Sequence, residues 1–377
     1  MVKEVTWSMK TIDCFQQELL TWYHHEKRDL PWRISTDPYR VWVSEIMLQQ
    51  TQVVTVIPYF NRFMEWFPTI KDLAEANEDR LLKAWEGLGY YSRVRNMQHA
   101  AKQIVENFDG QMPDNLKDIL SLKGIGPYTG GAIASIAFSL PEPAIDGNVM
   151  RVYSRLFCLS EDIALAKTRK VFDEYVSQTM SKTEPGDFNQ ALMDLGATIC
   201  TPTKPSCDTC PISQYCEARK TETIQLYPVK KKKEKAKPLY YVATVDKNNE
   251  GAFLLEKRPS DGLLADMWTF PMIEVSKDDY DVFLSSINRG QDETLVAEQL
   301  SLYDDVKTES DKLLLGEVTH IFSHRKWHIL VVENQKPQLS EVKLENQEWV
   351  HQDIFSQYVF PKPQQKMVEL LKKSMNN

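Results

Sequence analysis

No stretch of this 377-residue chain approaches the roughly 20 consecutive apolar residues that a membrane-spanning helix needs. Its first residues, MVKEVTWSMKTIDCF, lack the apolar core of a secretory signal. Both absences point to a cytoplasmic protein with no membrane partner. Basic charge is not in surplus either: 45 Lys and Arg face 53 Asp and Glu, a net charge of −8. That balance argues against a nucleic-acid binder until it is divided along the chain. Residues 1–237 hold 30 basic and 30 acidic side chains, whereas residues 238–377 hold 15 and 23. The deficit therefore lies in the C-terminal part, and the N-terminal part, ending in a lysine run, is able to present a basic face. Cysteines are few, six in all, yet Cys200, Cys207, Cys210 and Cys216 are crowded into one short segment. In a cytoplasmic chain this indicates a metal or cluster rather than disulfides.

The length suggests two domains, and the periodicity changes where the lysine run ends. Up to residue 220 apolar residues recur at helical spacing, with segments expected at Thr11–His25, Val53–Trp66, Glu78–Trp85, Arg93–Phe108, Lys167–Met180 and Asp187–Thr198. The most informative stretch lies within 116–148. A short apolar helix, Leu116–Leu122, runs into Gly124-Ile125-Gly126, and a second begins near Tyr128 and ends near Phe138. Two glycines around one apolar residue make a tight helix-to-helix turn, with Ile125 able to plug the seam. The free amides at the start of the second helix suit an anion such as a phosphate.

Two carboxylates stand out. Glu45 lies in an apolar helix that begins near Tyr39 and runs through Val41 to Thr51, stacked with Val41 and Gln49 by helical spacing. It is either a surface carboxylate on a solvated stripe or a desolvated acid able to hold a proton near neutrality. Asp146 precedes the apolar run Val149, Val152, Tyr153 and Leu156. It is a good N-cap, and an ionised carboxylate there is also able to face a developing cation. Gly87-Leu88-Gly89-Tyr90-Tyr91 forms either a plain helix stop or a wedge that unstacks bases.

The cysteine spacing is Cys200-x6-Cys207-x2-Cys210-x5-Cys216, which suits tetrahedral zinc or an iron–sulfur cluster. Residues 221–238 hold Lys230–Lys233, Lys235 and Lys237 and form a linker able to add salt-dependent phosphate contacts. From 239 to 377 the pattern has period two, with strands expected at Tyr240–Val245, Ala252–Glu256, Trp268–Met272, Glu317–Phe322 and Trp327–Glu333. Helices are expected near Asp279–Ile287 and Gln364–Lys373, giving an α+β domain.

The motif Leu120-x-Leu122-x-Gly124-Ile125-Gly126-x-x-Thr129, followed by Asp146 in Ile-Asp-Gly-Asn-Val, resembles the helix-hairpin-helix and aspartate of the DNA glycosylase superfamily that includes endonuclease III. The 6-2-5 cysteine spacing after the aspartate helix resembles the [4Fe–4S] loop of that family. Leu254-Leu-Glu-Lys-Arg-Pro with Gly262-Leu-Leu-Ala-Asp-Met-Trp-Thr-Phe-Pro-Met resembles the start of a Nudix-type fold, without the Arg-Glu-x-x-x-Glu-Glu metal helix of its hydrolases. Together these features resemble the adenine DNA glycosylase (MutY) family over nearly the whole chain.

That resemblance implies a multi-domain protein. An all-α helix-hairpin-helix glycosylase domain (1–220, hairpin 116–138, one [4Fe–4S] cluster on 200–216) and the 221–238 linker precede an α+β Nudix-like domain (239–377) that recognises 8-oxoguanine. It implies a monomeric, cytoplasmic and, in a bacterium, nucleoid-associated enzyme. Its substrate would be double-stranded DNA with A:8-oxoguanine or A:G mispairs, from which it releases adenine without cutting the strand. Glu45 and Asp146 would be catalytic, with Tyr128 and Asn148 orienting the site. Tyr128 occupies the place where lyase-type members carry lysine. Gly124, Ile125, Gly126, Thr129, Gln50, Leu88 and Tyr90 would contact DNA, the last three as the wedge. Arg33 and Gln190 would line the adenine pocket, and Phe322, Ser323 and His324 would read 8-oxoguanine. An endonuclease III-like lyase and a non-catalytic iron–sulfur DNA-binding module are the alternatives.

Overall fold

Helix α8 (Pro127–Phe138) is the axis of the N-terminal half, and small residues let it be approached from several sides. A Cβ on Gly130 would stand 2.7 Å from Leu120, and one on Gly131 would stand 2.0 Å from the Pro143 carbonyl oxygen. The segment leading to Asp146 is therefore in backbone contact with α8. The computed structural model describes residues 5–231, 236–288, 312–335 and 344–375. They form two units: Met1–Ala84 with Ser92–Lys232, and Trp85–Tyr91 with Lys233–Asn377.

In chain order the helices of the first half are α1 (Met9–Glu26), α2 (Pro38–Leu48), α3 (Val53–Trp66), α4 (Ile70–Glu75), α5 (Glu78–Trp85), α6 (Ser92–Asn107) and α7 (Leu116–Ser121), followed by α8. After α8 come α9 (Gly147–Leu156), α10 (Arg169–Thr179), α11 (Pro185–Thr198) and the single turn α12 (Glu217–Lys220). The local sequence sets several of their starts. Asp37 accepts from the Tyr39 amide ahead of α2, with Pro38 at the first helical position, where its missing N–H costs nothing. Thr69 and Asp72 form a reciprocal capping box on α4, a six-residue helix whose weak periodicity hides it in the sequence. Gly124 has φ +80° in the hairpin turn, a conformation that any Cβ would strain, and Ile125 is buried at the seam. One core of this unit joins α1, α9, α10 and α11 through Phe15, Leu19, Tyr153, Phe172, Phe188 and Leu192.

The described residues of the second unit contain seven strands: β1 (Lys237–Val245), β2 (Phe253–Lys257), β3 (Trp268–Thr269), β4 (Met272–Val275), β5 (Lys312–Ile321), β6 (Arg325–Asn334) and β7 (Gln347–Val350). One sheet has the order β4-β1-β6-β5, with β1 and β6 parallel, Tyr241 opposite Ile329. The other has the order β3-β2-β7 and is antiparallel. Strand alternation sorts the side chains. Ala243, Val245, Ile329 and Val331 join the core shared with the second sheet and the C-terminal helix Lys362–Met375, whereas Val242, Leu330 and Val332 meet α13 (Lys277–Asn288).

One expectation needs correction here. Trp268–Met272 is not a single strand. Thr269 pairs with Glu256 in one sheet and Met272 with Ala243 in the other. Pro271 has no N–H to continue a ladder, and its carbonyl accepts from Thr244 as the chain crosses between sheets. β7 was also missed, because four residues with one buried position give little period-two signal.

Candidate active site

Helix α2 packs on α8, and that contact brings two distant residues together. Glu45, at 6% exposure, accepts a hydrogen bond from the Tyr128 hydroxyl. Burial pushes the Glu45 carboxyl up to about 7, further supported by the charge of Asp146 and opposed by the Tyr128 hydrogen bond and Arg33. The carboxylate is thus a desolvated acid, not a member of a solvated stripe. Tyr128 is held well above its ordinary value, by burial first and then by both carboxylates, so it stays a donor.

Asp146 is the N-cap of α9. Its Oδ1 accepts from the Val149 amide at 2.7 Å and its Oδ2 from Asn148 Nδ2 at 2.8 Å. Burial raises its pKa despite these donors, so the cap does not fully offset desolvation. Asn148 is fixed in turn by Arg151 Nη2 at 2.8 Å. The same guanidinium donates to the Gly196 and Cys200 carbonyls. Gly196 has to be glycine for this packing, since a Cβ would stand 2.6 Å from Asn148 Cβ.

These groups face a cleft of about 1260 Å³, which is also lined by Gly124, Gly126, Arg33, Gln50 and Gln190. Thr129 reaches its wall with a buried side chain whose hydroxyl accepts from Gln49 at 3.4 Å. Pro127 has no N–H, and the Gly130 amide bonds the Gly126 carbonyl, which leaves Tyr128 and Thr129 as the free amides of the first turn. Gln190 Nε2 contacts Asp187 at 3.4 Å.

Arg33 is not free in the cleft. Asp194, buried on α11, accepts from Arg33 Nη1 at 2.7 Å, from Arg33 Nη2 at 3.0 Å and from Arg28. Burial alone would raise the Asp194 carboxyl, but the two arginines hold it below its ordinary value. Asp194 is absent from the residues expected above. The available signal is one acid among Ala191, Leu192 and Leu195, four residues after Gln190. Asp194→Asn leaves two half-buried cations with no anion, and it is expected to cost about 3 kcal/mol in denaturant unfolding at neutral pH. The depressed pKa makes this contribution present above about pH 4 and lost as pH falls below that, so the variant and the parent should converge in acid.

Gln50 and Tyr90 both have left-handed backbone, with φ of 58° and 50°. A non-glycine residue pays for that conformation, and such strain gathers at functional positions. Gln50 is exposed and Tyr90 is 46% exposed, whereas Leu88 is 7% exposed. Of the Leu88–Tyr90 pair, then, it is the tyrosine that reaches solvent, because Leu88 is spent on packing. Ser323 and His324 are exposed in the turn between β5 and β6. Phe322 is half-buried against Trp327 and His320, and the Tyr90 hydroxyl lies 2.8 Å from Ser323 Oγ.

Cys200, Cys207, Cys210 and Cys216 line one small hollow of about 30 Å³. Among the described residues no three cysteine sulfurs lie within 4.8 Å of one another. Four thiolates 2.3 Å from one tetrahedral zinc would be closer than that. A cuboidal cluster interposes an iron before each thiolate and fits the wider set. Arg155 Nη1 points at Cys200 Sγ at 3.3 Å, a donor suited to a thiolate. No described helix is long and apolar enough to cross a membrane.

Residues 43–178 match the HhH-GPD superfamily of base excision DNA repair proteins, residues 200–216 the iron–sulfur binding domain of endonuclease III, and residues 241–370 a NUDIX domain. The adenine DNA glycosylase of Buchnera aphidicola subsp. Acyrthosiphon pisum is 33% identical over 368 residues, covering 96% of this chain and 98% of that protein. That of Arabidopsis thaliana is 38% identical over 83% of this chain, which spans 56% of the plant protein. A solved thermostable thymine-DNA glycosylase superposes with a TM-score of 0.52 at 29% identity, over 56% of this chain and 98% of that one. The class is therefore a helix-hairpin-helix DNA glycosylase of base excision repair, joined to a Nudix-type domain and bearing a [4Fe–4S] cluster. Within that class the chain belongs to the adenine DNA glycosylase family.

Proposed function

We propose that this enzyme hydrolyses the N-glycosidic bond of adenine mispaired with 8-oxoguanine or guanine, without cutting the strand. The observation that carries the reading is a buried, protonatable Glu45 facing the same cleft as the capped carboxylate Asp146. The adenine is extruded into the cleft, since the glycosidic bond is out of reach inside a duplex. Glu45 gives its proton to the base and improves the leaving group. As the bond to C1′ breaks, positive charge grows on the sugar, and Asp146 stabilises it or is transiently captured by it, as in retaining glycosidases. Water then completes the hydrolysis, with Glu45 accepting its proton. Tyr128 and Asn148 hold the two carboxylates. A phenol at position 128 forms no Schiff base with the sugar, which separates this reading from a lyase.

Arg33 and Gln190 meet the base edge, Arg33 being held by Asp194. The free hairpin amides take a phosphate, and Gln50 and Tyr90, each on its own unit, contact the DNA. Cys200, Cys207, Cys210 and Cys216 ligate the cluster, which shapes the DNA-facing loop and takes no part in the bond-breaking steps. Phe322 supports the reading turn, and Ser323 and His324 hydrogen-bond the edge where 8-oxoguanine differs from guanine.

Base release from an A:8-oxoguanine duplex, compared with A:G at fixed salt, tests the assignment. Ser323→Ala with His324→Ala is expected to reduce the preference for A:8-oxoguanine by about tenfold, with a smaller effect on A:G. That follows from about 1–3 kcal/mol per lost base contact. Equal losses on both substrates would remove the turn from lesion reading.

A further inference from the structure

Four cations line the cleft among the described residues: Lys27, Arg28, Arg33 and Arg169. Three of them are engaged within the protein. Arg28 and Arg33 share Asp194, and Lys27 sits 5.9 Å from the centre of the Tyr23 ring. Arg169, the first residue of α10, is half-buried, and its side chain forms no hydrogen bond or ion pair with any described residue. Asp173 lies one turn along the same helix, and its charge reaches Arg169 only as a through-space influence, as does that of Asp146. A guanidinium stays charged in such a place, with its planar fork of donors unspent.

The chemistry of the substrate supplies a partner. The sugar whose C1′ meets Asp146 carries a backbone phosphate on each side. Bringing that nucleotide to Asp146 therefore brings an anion toward an anion, a repulsion strengthened where water is excluded. We infer that Arg169 binds a backbone phosphate flanking the extruded nucleotide and offsets the repulsion between that phosphate and Asp146. This rests on the glycosylase reading given above. It adds a binding residue on α10, outside the hairpin and the cysteine loop.

The test uses the full-length, cluster-loaded protein and a duplex with a tetrahydrofuran abasic site opposite 8-oxoguanine, so that binding is read without turnover. Arg169→Ala is expected to weaken binding about tenfold and to reduce the slope of log affinity against log salt by about 1. Arg169→Lys should recover most of the loss, because a point charge still meets a phosphate. The decisive comparison replaces each phosphate flanking the abasic site with a neutral methylphosphonate. At one of the two positions the parent should weaken as the alanine variant does, and the variant should lose nothing further. Additive losses at both positions, or an unchanged salt slope, would overturn the assignment. So would normal binding combined with slow excision at saturating A:8-oxoguanine duplex, which would place Arg169 in the chemistry instead. Arg169→Gln gives the same readings if the alanine variant is unstable. A parent protein that binds the abasic duplex but releases no adenine would refute the functional reading, and the methylphosphonate comparison would still decide the phosphate contact.

Discussion

Glu45→Gln is expected to bind lesion DNA normally and to release adenine about 10²–10⁴-fold more slowly in single-turnover assays. The amide keeps the size of the side chain and still accepts from Tyr128, but it has no proton to give. The pH dependence supplies an independent check. With the Glu45 pKa near 7, the protonated fraction falls tenfold per unit above neutrality, and parental excision should fall with it. A residual rate in the variant should lack that alkaline limb. Stability should follow the same direction with pH. A carboxyl whose folded pKa is raised contributes fully below its unfolded value and loses that contribution as pH rises through about 7. The variant should therefore melt no lower than the parent at pH 8. Near-parental excision by Glu45→Gln would remove the residue from proton transfer.

Asp146→Asn separates a cap from a catalyst. Asparagine is as good an N-cap as aspartate, and its oxygen is able to keep the Val149 amide bond. The second oxygen becomes an NH₂ facing the Asn148 donor, so one hydrogen bond is lost and the cost is about 1 kcal/mol. Excision should fall far more, by about 10²-fold or beyond, because a neutral amide offers no charge to the developing cation. On the acid side the parent profile should decline through the raised pKa of Asp146, above the ordinary aspartate value of 3.8. A lower melting temperature with excision intact would leave capping as the sole role.

What was legible in the sequence was mostly local. The Gly124-Ile125-Gly126 turn, the cap at Asp146 and the cysteine spacing each depend on a few neighbouring residues, and each is present in the structure as a local arrangement. Glu45 was half legible. Its helix and apolar neighbours were visible, but whether it was solvated depended on α8, more than eighty residues away, delivering Tyr128. The Asp194 hub was illegible for the same reason: its two arginines come from the loop between α1 and α2. The division of Trp268–Met272 between two sheets followed from Pro271, a signal that was present but outweighed by the apolar run. Leu88 had the composition of a wedge, and only the tertiary structure shows that it is buried.

Gly131 and Gly196 act through closeness rather than flexibility, and this makes the fold an unusual filter on mutation. At Gly131 and Gly196 the space for a single methyl is already occupied, by the Pro143 backbone and by Asn148, the neighbours that set where Asp146 stands. At Gly147, beside that same aspartate, nothing lies within 4 Å. Glycines around one site therefore differ in what an added Cβ would meet. A methyl at 131 or 196 would push on the neighbours of Asp146, whereas one at 147 would meet no protein atom and would stand on the wall of the cleft.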